Sequence, residues 1–311
     1  MYIEQIYTKR FNFLLYLPIP FFFFALMIFN FFSTQDIDVS AMMKQMIEQF
    51  GTNLTFVLII APLSIACLFL FFWVKFAHQQ SIRSLTTGRK KVDWNRILFS
   101  FAVWGLFSIL SIGILYYLTP ENFVINFDSS KFFIFLLLAI ILIPLQTSFE
   151  EYLFRGYLLQ GLGVLTKNKW FPLIFTSVMF GLMHIANPEV VKLGPIIMVY
   201  YIGTGFFLGI ITLMDDGLEL ALGFHAANNL VGALLVTSDW SAFQTHSILK
   251  DVAEPSAGFD VLLPVLIIYP ILLFIFGWKY GWKNWKEKLT GKVLEYNKLE
   301  DLTNSITQKN E

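Results

Sequence analysis

Ser148-Phe149-Glu150-Glu151-Tyr152-Leu153-Phe154-Arg155 sets two carboxylates and a guanidinium inside apolar sequence. Residues 132–145 before it are apolar, interrupted only by Pro144, and more apolar residues follow between 158 and 165. At membrane depth an ionisable group costs about 3 kcal/mol on insertion scales, so it persists mainly where it is paired or acts. A helix here puts Glu151 and Arg155 four residues apart on one face. Glu150 is then rotated away, without a cation of its own. One carboxylate is paired and the other is free, and the free one is the candidate catalytic base.

The rest of the chain gives this stretch its setting. Of 311 residues, 56% are hydrophobic and 14% charged, against about 25% charged in a soluble domain. The chain is therefore predicted to be an all-α polytopic membrane protein. Net charge is zero, and no basic tract points to nucleic acid. The single cysteine, Cys67, lies in an apolar run. It has no internal disulfide partner and no metal-ligand spacing with any histidine, so packing is its expected role. Stretches of about the 20 apolar residues that cross a bilayer fall at 11–32, 54–76, 97–118, 132–162, 170–185, 193–213, 218–236 and 261–278. These are about eight transmembrane helices, in a membrane domain over 1–278. A charged, amphipathic cytoplasmic tail follows over 279–311, with Trp282-Lys283-Asn284-Trp285-Lys286 as an interfacial anchor. The first span is too long for a signal peptide and no small-residue cleavage site follows it.

Basic residues orient the spans. With the N-terminus inside, 18 of the 22 Lys and Arg residues fall on inner segments, and only Lys44, Lys131, Lys192 and Lys250 on outer ones. The excess of positive charge inside favours eight crossings with both termini cytoplasmic. The inner turn Asp215-Asp216-Gly217 is acidic and goes against the pattern, although acidic residues count for little in it. The outer segment 238–260 is polar, contains Pro255 and Gly258, and is expected to be irregular.

Three polar sets lie within the spans: Glu150, Glu151 and Arg155; His184, four residues after Phe180; and His225 with Asn228 and Asn229. On a helix His225 and Asn229 share a face. Each set alone has an ordinary structural reading, as a satisfied histidine, as polar glue between helices, or as a buried pair that mostly avoids its own penalty. Gly205 and Gly209 read as a small-xxx-small packing pattern. His78 and His246 sit in loops and carry no assignment. Together the sets hold what hydrolysis needs: a carboxylate to take a proton from water, an imidazole to orient it, and donors for an oxyanion.

Glu150-Glu151-x-x-x-Arg155, Phe180-x-x-x-His184 and His225-x-x-x-Asn229, in that order, resemble the three-motif signature of the CPBP family of CAAX prenyl endopeptidases and Abi, or bacteriocin-processing, homologues. The resemblance spans about 132–236, and Trp170 and Gly223-Phe224-His225-Ala226-Ala227-Asn228-Asn229 fit it. It implies an intramembrane endopeptidase with its core in spans four to seven, acting on a peptide or prenylated peptide. By the same resemblance Glu150 is the general base with His184 helping to hold the water, His225 and Asn229 stabilise the oxyanion, and Glu151 and Arg155 support the site. A glutamate-activated water needs no metal. Zinc on Glu150, His184 and His225 is the alternative.

Two other functions use the same residues. One is a non-catalytic membrane protein, such as a bacteriocin immunity or partner-binding factor. The other is a proton-coupled transporter, against which stands the lack of an inverted repeat or paired broken helices.

Overall fold

In lipid every backbone N–H and C=O must be satisfied within its own segment, so apolar runs of this length fold as helices. A computed structural model describes residues 1–7, 12–34 and 37–295. The expectations for Lys9, Arg10, Lys298, Lys309 and the end of the tail lie outside the described residues. The helices are α1 (Pro18–Thr34), α2 (Val39–Phe50), α3 (Thr52–Phe76), α4 (Ile82–Thr86), α5 (Trp94–Leu118), α6 (Ser129–Glu151) and α7 (Leu159–Thr166). They continue with α8 (Trp170–Leu182), α9 (Pro188–Leu193), α10 (Ile197–Asp215), α11 (Glu219–Leu235), α12 (Tyr269–Tyr280) and α13 (Trp285–Thr290). Polar N-caps fix several starts: the side chain of Asp93 accepts from Asn95 N before α5, and that of Asp128 from Lys131 N before α6.

Five helices among the described residues are long and apolar enough to cross a bilayer. Shorter apolar helices at Trp170–Leu182 and Pro264–Tyr280, with the 17-residue α11, fill the remaining predicted segments. The chain is an all-α polytopic membrane protein. The fourth span is longer than one crossing. A π-helical stretch, Tyr152–Leu158, joins α6 to α7 without a break, so Ser129–Thr166 is one helix of 38 residues. At 1.5 Å per residue that is about 57 Å, nearly twice the hydrocarbon thickness. Extra-residue π turns cluster at functional sites, and this one begins directly after Glu151.

The connections gather at two ends. At one end Tyr2 donates to the carbonyls of Leu85 (2.7 Å) and Arg155 (3.1 Å). There also Leu218 N donates to Thr86 O (2.8 Å), Lys169 N to Gly291 O (3.1 Å) and Val293 N to Lys167 O (3.1 Å). The N-terminal segment, the α3–α5 connection, the α7–α8 and α10–α11 turns and the stretch after α12 thus meet. The acidic α10–α11 turn, which ran against the charge pattern, is neutralised there: Arg89 pairs with Asp215 (2.8 Å) and Glu219 (3.1 Å), Arg96 also pairs with Asp215, and Lys288 with Asp216.

At the other end the segment expected to be irregular supplies the middle strand of a small sheet and the last residue of another strand. Strand β1 (Phe123–Ile125) pairs antiparallel with β3 (Leu249–Asp251), which pairs parallel with β2 (Val236–Ser238). Only three residues pair on each strand, too short a pattern to stand out against the polar sequence around it. Two further expectations change. Arg155, counted with the inner charges, is wholly buried and anchors nothing at the surface. Trp282, read as part of an interfacial anchor, turns inward and donates to Asp215 Oδ1 at 3.1 Å, while Trp285 stays exposed.

Two glycine contacts set the core that holds the site. A Cβ on Gly205 would collide with the carbonyl of Ser177, and one on Gly209 would lie 2.6 Å from Leu173, so α10 and α8 pack backbone to backbone. A Cβ on Gly223 would collide with the carbonyl of Ile97, which brings α11 equally close to α5.

Candidate active site

Glu150 and Glu151 end α6 and point apart, as their spacing predicts. Glu151 is fully buried. Its Oε1 accepts from Arg155 Nη1 at 3.0 Å and sits 2.7 Å from His225 Nδ1. Arg155 also donates through Nη2 to the carbonyl of Gly205 at 3.1 Å. Its guanidinium lies 4.1 Å from the centre of the Phe180 ring, close enough for a cation–π contact. Phe180 is 2% exposed and packs against both imidazoles, with ring centres 5.2 Å from His184 and 5.8 Å from His225.

The helix expected over 170–185 stops at Leu182. His184 therefore lies in the turn beyond it, with its backbone N on Gly181 O at 3.0 Å. Its Nδ1 is 2.9 Å from Phe180 O. A carbonyl only accepts, so Nδ1 carries the proton and Nε2 is an acceptor. The ring stacks on Tyr201 at 4.4 Å and 12°. At 13 residues α8 reaches about 20 Å, less than the roughly 30 Å hydrocarbon thickness.

Glu150 is held by a chain of amides. Trp104 Nε1 donates to Asn228 Oδ1 (3.0 Å), Asn228 Nδ2 to Asn229 Oδ1 (3.0 Å) and Asn229 Nδ2 to Gln146 Oε1 (3.2 Å). Gln146 Nε2 then donates to Glu150 Oε1. An indole can only donate and a carboxylate only accept, so the two ends dictate the orientation of every amide between them. The other oxygen, Glu150 Oε2, is buried with no hydrogen-bond partner among the described residues, and stands 3.7 Å from His225 Nε2.

A cavity of about 600 Å³ is lined by Glu150, His184, His225, Asn228 and Asn229, together with Gln146, Glu189, Tyr200 and Tyr201. Glu151 and Arg155 stand behind it, bonded to its wall. Along the helices Glu150 is about 32 Å from Ser129, and His225 about 9 Å from Glu219, which puts this end of the cavity nearer the basic end of the bundle. Among the described residues no group of three His, Cys, Asp or Glu side chains is placed to hold a metal ion.

The family model for the Rce1-like, type II CAAX prenyl endopeptidases matches residues 129–231, the interval that contains every one of these motif side chains. The chain is also 31% identical over 211 residues to the uncharacterized protein YyaK of Bacillus subtilis strain 168, covering 68% of each. The chain belongs to the Rce1-like family. No solved structure matches it. As a member it is an integral, multi-pass membrane protein of a protease family that acts on peptides.

The three Rce1-like motifs converge on the wall of one cavity. Four residues around the motif side chains, Gln146, Trp104, Tyr201 and Glu189, carry no assignment from the sequence. Gln146 offered a signal, as an amide inside an apolar span four residues before Glu150. Trp104 and Tyr201 look like ordinary span aromatics, and Glu189 like an ordinary loop carboxylate.

Proposed function

We propose that this Rce1-like chain is an intramembrane endopeptidase in which Glu150 activates the attacking water. The observation that carries the reading is Glu150 itself: one oxygen fixed by Gln146, the other buried at the cavity without a hydrogen-bond partner among the described residues and facing an imidazole. A buried carboxylate in that state needs a polar visitor, and water is the smallest. Glu150 Oε2 takes a proton from the water while His184 Nε2 accepts the second hydrogen and holds the oxygen in line. The oxygen adds to the peptide carbonyl carbon. His225, tied through Nδ1 to Glu151, presents Nε2 toward the cavity and, carrying a proton there, donates to the oxyanion. Asn229 has a second amide N–H beyond the one given to Gln146 for the same purpose. Collapse of the adduct breaks the C–N bond, and Glu150 returns the proton to the leaving nitrogen.

Glu151 and Arg155 have no part in bond making; they set the His225 ring. The steps use only side chains of this chain, and zinc enters none of them. A prenylated peptide is the substrate class carried by the family name, and it reaches the cavity from the bilayer that surrounds the bundle. The deciding measurement is hydrolysis of membrane peptides, prenylated and unmodified, by purified Glu150→Gln. That variant keeps the shape and removes the base. Turnover is expected to vanish at an unchanged melting temperature, and retained turnover would end the proposal. Chelator treatment of the wild type is expected to leave the rate unchanged.

A further inference from the structure

The cavity has a second carboxylate that the proposed chemistry leaves idle. Glu189 lies on α9, in the connection between α8 and α10, and lines the same space as Glu150. Its Oε1 accepts from Ala242 N at 2.8 Å, tying α9 to the segment after β2. Its Oε2 is buried with no hydrogen-bond partner among the described residues. Burial pushes the Glu189 carboxyl up, and only backbone N–H groups act in the other direction.

Stapling two loops needs one oxygen, which a glutamine would supply equally well. A charged group with its second oxygen buried and unpaired is a costly way to do it. No Lys or Arg lines the cavity among the described residues, so the wall offers Glu189 no ammonium or guanidinium of its own. Aromatic residues line the same space: Tyr201, within electrostatic reach of Glu189, and Phe243, which follows Ala242 into the lining. A carboxylate in a cavity with aromatic lining suits an ammonium or guanidinium.

We propose that Glu189 forms a cation-binding subsite, which receives a Lys or Arg side chain of the peptide being cleaved. This rests on the endopeptidase reading and names the substrate class for it.

The test is a positional scan. Peptides that differ at one residue, carrying Lys, Arg, citrulline, norleucine or Glu, are offered to the wild type in nanodiscs. At one position Lys and Arg should exceed the neutral residues about tenfold in kcat/KM, the scale of a desolvated charge pair, with Glu the poorest. Glu189→Gln keeps the acceptor for Ala242 N and should level the series, chiefly through KM, and Glu189→Lys should turn it toward Glu. Equal kcat/KM for cationic and neutral peptides at every position overturns the proposal, as does a preference that survives Glu189→Gln. Binding to Glu150→Gln separates the two readings. If the wild type cleaves no peptide the endopeptidase reading falls, yet tighter binding of Lys than citrulline peptides, lost in Glu150→Gln/Glu189→Gln, still supports the subsite. Equal binding ends it.

Discussion

Gln146 is where the amide chain meets the proposed base, and it serves two partners at once: it donates to Glu150 and accepts from Asn229. Gln146→Leu removes both contacts and leaves each partner with an unmet buried group, a cost of about 1–3 kcal/mol apiece. If the chain orients Glu150, kcat should fall roughly tenfold to a hundredfold with KM little changed. Trp104→Phe, three links further back, should cost much less. A Gln146→Leu enzyme with normal kcat and a raised KM would place the amide in substrate binding instead. The sequence displayed the near half of this arrangement. Glu150, Glu151 and Arg155 are related by helical spacing, which one segment determines by itself. The partners on other helices were hidden, because no local pattern distinguishes Trp104 from the aromatics that face lipid, or a loop carboxylate at a cavity wall from one in water.

Elements bring these residues together by approaching more closely than side chains ordinarily allow. Gly205 permits α10 to touch α8 and offers its own carbonyl to Arg155, so the small-residue pattern read as packing is also a bond to the buried cation. Arg155→Ala leaves Glu151 buried with no guanidinium, for which roughly 3–5 kcal/mol is the usual loss. Folded yield and melting temperature in detergent should both drop, and Glu151→Gln should restore part of the loss. A stable Arg155→Ala protein without turnover would assign the arginine to the chemistry. The length of α8 was not legible. Its sequence stays largely apolar through Ile185, apart from His184, and hydropathy has no term for a helix whose last carbonyls are taken by the backbone and ring of that histidine.

Across the whole molecule the connections sort by end, and this supports the even number of crossings that the charge pattern favoured. Membrane sidedness is a separate matter, and the positive-inside rule assigns the basic end to the cytoplasm. Single cysteines at Lys91 and Ser256, both exposed and at opposite ends, should react with an impermeant thiol reagent from opposite faces of sealed vesicles. The native Cys67 is buried and should give little background. Labelling of both from one face would overturn the eight-crossing arrangement. The clasp at the basic end also bears on timing. Tyr2 and Ile3 are buried against residues far along the chain, and Glu4 accepts from Leu294 N at 3.3 Å. The contacts of Tyr2 with Leu85 and Arg155 can form early in synthesis, whereas that of Glu4 waits for Leu294. The clasp is therefore completed only after α12 has been made and the segment behind it released.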